Sequence, residues 1–185
     1  MDVKRAIQER RAYRSFDPVA ITEDLVRDLA QSAQLAPSCN NFQPWRYIFV
    51  YEKETLKKLH SSFTGGNEWM RASSMIIAVF SKKELDCVIG DRIYYLFDTG
   101  MATAFLILRA TELGLVAHPV AGYDEEKVKA ILGIPKDMIL ITLVNVGKHS
   151  TTISTVLSEK QKLGERQRPE RLPFERFAYI DHYKE

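Results

Sequence analysis

Three arginines stand within five residues near the start of the chain: Arg10, Arg11 and Arg14. A guanidinium presents a planar fork of donors that matches phosphate oxygens, so this cluster suits a bound anion. It equally suits the C-terminal end of a helix, where cations meet the negative end of the dipole and solvent. A second stretch, residues 36–45, reads Ala36-Pro37-Ser38-Cys39-Asn40-Asn41-Phe42-Gln43-Pro44-Trp45. Pro37 forces the residue before it out of the helical region, and Pro44 fixes a second bend. Small and amide side chains between them offer donors and acceptors with little bulk, and Trp45 supplies an apolar anchor. Such a loop serves as a binding loop or as an ordered turn.

Other chemistry is missing. The four histidines, at 60, 118, 149 and 182, include no pair at metal-ligand spacing. There is no phosphate-binding P-loop, no dinucleotide glycine fingerprint and no nucleophile elbow. Cys39 has no evident activating partner. With Cys87 as the only other cysteine, the pair reads as two free thiols of a reducing cytosol. No protein group is therefore assigned as catalytic, and the chemistry is expected from a bound organic cofactor.

The elements that position these residues are readable. Asp2 caps a first helix carrying Val3, Ala6 and Ile7, whose far end holds the arginines. Thr22 caps a second helix with a stripe of Leu25, Val26, Leu29, Ala30 and Ala33. Residues 47–51, 75–80 and 139–146 read as strands, with a short helix around Leu56 and Leu59 and a flexible turn at Gly65-Gly66-Asn67. The segment from about Arg92 to Leu113 is a long helix with almost no polar face, suited to a core or a subunit interface. Residues 116–124 form a short extended piece turning at Gly122, and Asp124 caps the next helix. Residues 148–172 are polar, but the end is apolar again and reads as an arm that docks.

Apolar residues make up 45% of 185, enough for one domain with a real core. A formal charge of +2 gives no reason to invoke nucleic acid or an anionic membrane. No apolar run opens the chain and none is long enough to span a bilayer, so a cytoplasmic location is expected.

Five segments, in order, resemble the flavin-dependent nitroreductase family. Residues 10–16 are similar to its Arg-Arg-Ser-x-Arg-x-Phe element, and residues 36–45 to its Ala-Pro-Ser-x-x-Asn-x-Gln-Pro-Trp loop. Residues 118–124 are similar to its Pro-x-x-Gly-Tyr/Phe-Asp turn, with Val144-Asn145-Val146-Gly147 matching its last strand. Arg166-Gln167-Arg168-Pro169 resembles its basic C-terminal element. The resemblance implies an α+β, nitroreductase-like fold: a central, mostly antiparallel sheet flanked by helices, in an intertwined homodimer with C-terminal arm exchange. Residues 1–147 would be the FMN-binding core. Residues 148–185 would be an extension that completes the site and docks on the partner subunit.

The implied activity is ping-pong hydride transfer from NAD(P)H, through FMN, to a nitroaromatic, quinone or similar small acceptor. A non-redox flavin-binding protein, or a dehalogenation or dehydrogenation on the same scaffold, is the alternative. FMN is expected rather than FAD. The resemblance gives Arg10 and Arg168 to the phosphate, with Arg166 helping and Arg14 nearer the pyrimidine edge or the phosphate. Arg11, Ala12 and Asn67 belong to the same site. Pro37, Ser38, Cys39 and Asn41 would reach the ring from the other subunit, and Pro119, Val120, Ala121 and Gly122 would line it. Gly122 would let backbone approach a flat ring. Ala12 stands where the family often has a hydroxyl, Ala121 where some members have an acid. The short segment between Ser81 and Arg92 leaves no room for substrate-covering helices.

Overall fold

A computed structural model describes residues 1–183; the last two residues of the C-terminal extension lie outside the described residues. Six α-helices and seven strands follow one another: α1 (Val3–Glu9), β1 (Phe16–Asp17), α2 (Glu23–Gln34), β2 (Arg46–Val50), α3 (Lys53–Leu59), β3 (Met75–Ser81), β4 (Val88–Ile89), β5 (Arg92–Ile93), α4 (Tyr94–Glu112), β6 (Val116–Val120), α5 (Glu125–Leu132), β7 (Ile139–His149) and α6 (Glu159–Arg166). The three expected caps form, with the side chains of Asp2, Thr22 and Asp124 accepting the backbone N–H of Arg5, Leu25 and Lys127. Each satisfies an N–H left open at a helix start.

The main sheet is antiparallel throughout, in the order β1-β7-β3-β2, with β6 also on β7. Its centre is β3, buried at every residue. Successive side chains of a strand point to opposite faces, so β3 serves two cores. Met75, Ile77 and Val79 pack with Leu29 and Ala33 of α2 and with Ala102 and Leu106 of α4. Ile76, Ala78 and Phe80 pack with Leu59 of α3, Val128 of α5 and Trp69. This is why its sequence is continuously apolar rather than alternating.

The structure corrects several readings. Helix α1 stops at Glu9, and Arg10 is already non-helical, so Arg11 and Arg14 lie in irregular backbone beyond it. Helix α4 begins at Tyr94, because Arg92 and Ile93 pair with β4 in a hairpin. Its core face is not purely apolar: Asp98, Thr99 and Thr103 are buried, while Phe97 and Phe105 are exposed. Strand β7 runs past Val146 to His149 because its end pairs with β1. The two cysteines are not free thiols; Cys39 and Cys87 form a disulfide that ties residues 36–45 to the segment between β3 and α4. They are 48 residues apart, and only the fold brings their Cα atoms to 5.9 Å.

Candidate functional site

The two ends of the chain meet at α6. Glu165, buried, accepts the backbone N–H of Arg14 at 2.7 Å and of Ser15 at 3.2 Å. Arg11 donates to the Gly164 carbonyl at 2.7 Å, and Arg168 donates to the Arg10 carbonyl at 2.9 Å. These bonds fix the stretch 10–15 without using the guanidiniums of Arg10 and Arg14. A cavity of about 140 Å³ results, lined by Arg10, Arg11, Ala12, Arg14, Gly164, Arg168, Pro169 and Arg171. At roughly 30 Å³ per water, that is space for a phosphate-sized group.

The electrostatics of this cavity are one-sided. No carboxylate among the described residues forms an ion pair with Arg10, Arg14, Arg168 or Arg171. Burial, then the charges of Arg168 and Arg171, push the pKa of Arg10 down. Burial lowers that of Arg14 too, against the pull of Glu165. Guanidiniums that repel one another in a concave site call for an anion.

Beside the arginines stands an aromatic stack. Trp69 lies against His118 with ring centroids 4.8 Å apart, and Arg14 sits over Trp69 at 5.7 Å. The Nδ1 of His118 is 2.9 Å from the Tyr13 carbonyl. Burial, helped by Arg14 and Arg10 and opposed by that hydrogen bond, lowers the His118 pKa to about 4. His118 is thus neutral at pH 7 and adds no charge. It stands at the middle of β6, which ends in Pro119 and Val120 and is followed by Ala121 and Gly122; Pro119 and Ala121 are exposed. Asn67 closes this turn by donating its amide to the Gly122 carbonyl at 3.1 Å. A Cβ on residue 122 would overlap that amide. Gly122 is therefore needed on that side for Asn67, rather than leaving it open to a flat ring.

Residues 36–45 stand apart from this group. Cys39 N–H donates to Asp98 of α4 at 2.7 Å, and Gln43 N–H to the Ser38 hydroxyl at 3.0 Å. Pro37 and Asn41 are exposed, and Ser38 is half-buried. Asn40, Asn41 and Gln43 all have positive φ, at 47°, 57° and 50°. Asn tolerates the left-handed region better than other non-glycine residues, which explains the amides here. No hydrogen bond among the described residues joins this loop to the arginines or to the Asn67–Gly122 turn.

Of the sequence-predicted residues, Arg10, Arg11, Ala12, Arg14 and Arg168 come together. Arg166 does not: Glu165 turns inward, leaving its neighbour exposed and outside the cavity. Arg171 takes its place, three residues after Arg168 in the same basic segment. Glu165 and Trp69 were not anticipated. The acid carried no distinguishing signal, since Glu170 stands among the same arginines.

The sequence model described as "Nitroreductase family" matches residues 7–68 and 61–148. The chain belongs to the nitroreductase family. It is 32% identical over 147 residues to an Archaeoglobus fulgidus protein provisionally named NADH dehydrogenase/NAD(P)H nitroreductase, covering 77% of this chain and 83% of that one. A Thermus thermophilus protein named NADH dehydrogenase is 26% identical over 178 residues, covering 80% and 86%. Among solved structures, a provisionally named nitroreductase from Exiguobacterium sibiricum in complex with FMN superposes with a TM-score of 0.82. It covers 98% of each chain at 21% identity and thus shares the fold.

Proposed function

We propose that this nitroreductase-family protein is an FMN-dependent oxidoreductase that passes electrons from NAD(P)H to a nitroaromatic, quinone or similar small acceptor. The observation that carries this reading is the cavity in which guanidiniums from both ends of the chain converge without a carboxylate to pair them. A terminal phosphate dianion supplies the missing charge, and FMN ends in one. The names of the Archaeoglobus and Thermus relatives and the FMN complex of the Exiguobacterium protein support the same donor and cofactor.

Bound FMN would supply the two-electron redox chemistry that links a nicotinamide donor to the second substrate. The chain's own residues bind and orient. Arg10 and Arg14, whose guanidiniums make no hydrogen bond among the described residues, would hold the phosphate together with Arg168, which lines the same cavity. Arg168 and Arg11 keep them in place through backbone carbonyls of residues 10 and 164. Exposed Pro119 and Ala121 would line the ring, with Asn67 rigidifying the turn behind them. No protein nucleophile takes part, and a Cys39 held in a disulfide has no thiolate to offer.

Among the described residues the loop 37–41 shares no hydrogen bond with the cavity arginines of its own chain, and a homodimer would bring it from the partner. Exposed Phe97 and Phe105 on α4, and Leu172, Phe174, Phe177 and Ile180 in the terminal arm, supply apolar surface for that assembly. The extension from residue 148 would complete the site through α6. Among the described residues no helix is long and apolar enough to cross a membrane. Heat release of the bound flavin followed by chromatography tests the reading: FMN is expected. FAD, or no flavin after reconstitution, overturns it.

A further inference from the structure

The disulfide has unusual neighbours. Asp86 precedes Cys87 and is only 7% exposed. Its Oδ1 accepts the Cys87 N–H at 2.7 Å, while its Oδ2 is buried without any partner. Asp98, 1% exposed, faces it from α4 and accepts the Cys39 N–H at 2.7 Å. Neither acid has a cationic partner among the ion pairs of the described residues. One donor atom from each of Cys39, Asp86 and Cys87 lies within 4.8 Å of the others. Two buried carboxylates facing each other beside two sulfurs, with an oxygen left unsatisfied, form a site built for positive charge.

We propose that Cys39, Asp86 and Cys87 form a divalent-cation site that opens when the disulfide is reduced and takes a thiolate-seeking ion of the zinc class. Two sulfurs and a carboxylate oxygen are a zinc donor set. Donors on a zinc tetrahedron sit about 3.5 Å apart, so the cluster needs only side-chain rotation to close on the ion. Asp98 orients Cys39 through its backbone and stands behind the site, as outer carboxylates do at metal centres. The fourth position is left to Asp98 or water. Opening requires a dithiol reductant. Its thiolate attacks the Cys39–Cys87 bond, two electrons pass to the two sulfurs, and the reductant leaves as its own disulfide. The ion then displaces the thiol protons to solvent.

Cys39, Asp86 and Cys87 do not line the arginine cavity of their own chain, but the proposed dimer would set Cys39 beside the partner's flavin, so the test reads metal content rather than flavin turnover. The purified protein is kept oxidised or is reduced with a phosphine under argon, exposed to Zn2+, passed through gel filtration and analysed for metal. About one zinc per chain is expected in the reduced protein and almost none in the oxidised one. Cys87→Ser and Asp86→Asn should each bind at least about tenfold more weakly when reduced. Co2+ in the reduced wild type should show thiolate charge-transfer and tetrahedral ligand-field bands. Because that spectrum needs no variant, a Cys87→Ser that fails to fold leaves the proposal testable. Equal zinc in both redox states, an Asp86→Asn with wild-type affinity, or cobalt without thiolate bands would each overturn it.

Discussion

The arginines near the cavity look alike in sequence but not in the fold. Arg168 bonds the Arg10 carbonyl and lines the cavity, whereas Arg166, two residues earlier, is exposed outside it. Arg168→Ala should weaken FMN binding by about 1.5–3 kcal/mol, the range for hydrogen bonds to charged groups. Arg166→Ala should leave a flavin titration unchanged; equal losses would mean that mere net charge sets the affinity. His118 permits a second prediction at this scale. Its folded pKa of about 4 lies below its ordinary 6.5, so folding favours the neutral ring. The associated stability is present above pH 6.5 and is lost as pH falls from about 6.5 towards about 4. The shift corresponds to at most roughly 3 kcal/mol at 1.36 kcal/mol per unit. Urea unfolding midpoints should fall across that window in the parent and be flatter in His118→Gln. Parallel curves for the two proteins would remove His118 as the cause.

The element scale shows where two segments depend on each other. Gly122 and Asn67 form one turn, and a methyl at 122 would overlap the Asn67 amide. Gly122→Ala should cost about 1–3 kcal/mol, as overpacking does, and lower the thermal midpoint. In an Asn67→Ala background the same change should cost far less; an undiminished cost would place the strain elsewhere. This pair also shows what could be read in advance. Caps at Asp2, Thr22 and Asp124, the apolar run of β3 and the stripe of α2 were legible because each depends on residues within a turn or a strand. The ends of α1 and β7 were not, since Arg10 is set by Arg168 and α6, and His149 by pairing with β1. The disulfide was hidden for the same reason: only the fold joins Cys39 to Cys87. Within the candidate site, the motif residues at 10, 14 and 168 were legible, while Glu165 and Trp69 were not. A buried carboxylate is recognisable only once the N–H groups it accepts are in place.

At the scale of the whole molecule, the chain carries the arginine cavity and the asparagine loop without a hydrogen bond between them among the described residues. In the proposed dimer, one chain's Arg14 and its partner's loop complete each site. Arg14→Ala and Asn41→Ala homodimers should both be impaired, since each damages both sites. Refolding an equal mixture with FMN makes about half the dimers mixed, each with one intact site, so activity should return to about a quarter of wild type. Activity staying at the parental average would mean that each site is built within one chain. The account's central claim is that the arginine cavity holds a flavin that NAD(P)H reduces and a small acceptor reoxidises. The most direct measurement is the visible spectrum of the FMN-loaded protein under anaerobic conditions during titration with NADH and NADPH. The account predicts loss of the oxidised-flavin absorbance with about one nicotinamide per flavin, and its return when a quinone or nitroaromatic is added. A spectrum that stays oxidised with both nucleotides, while FMN remains bound, would contradict it.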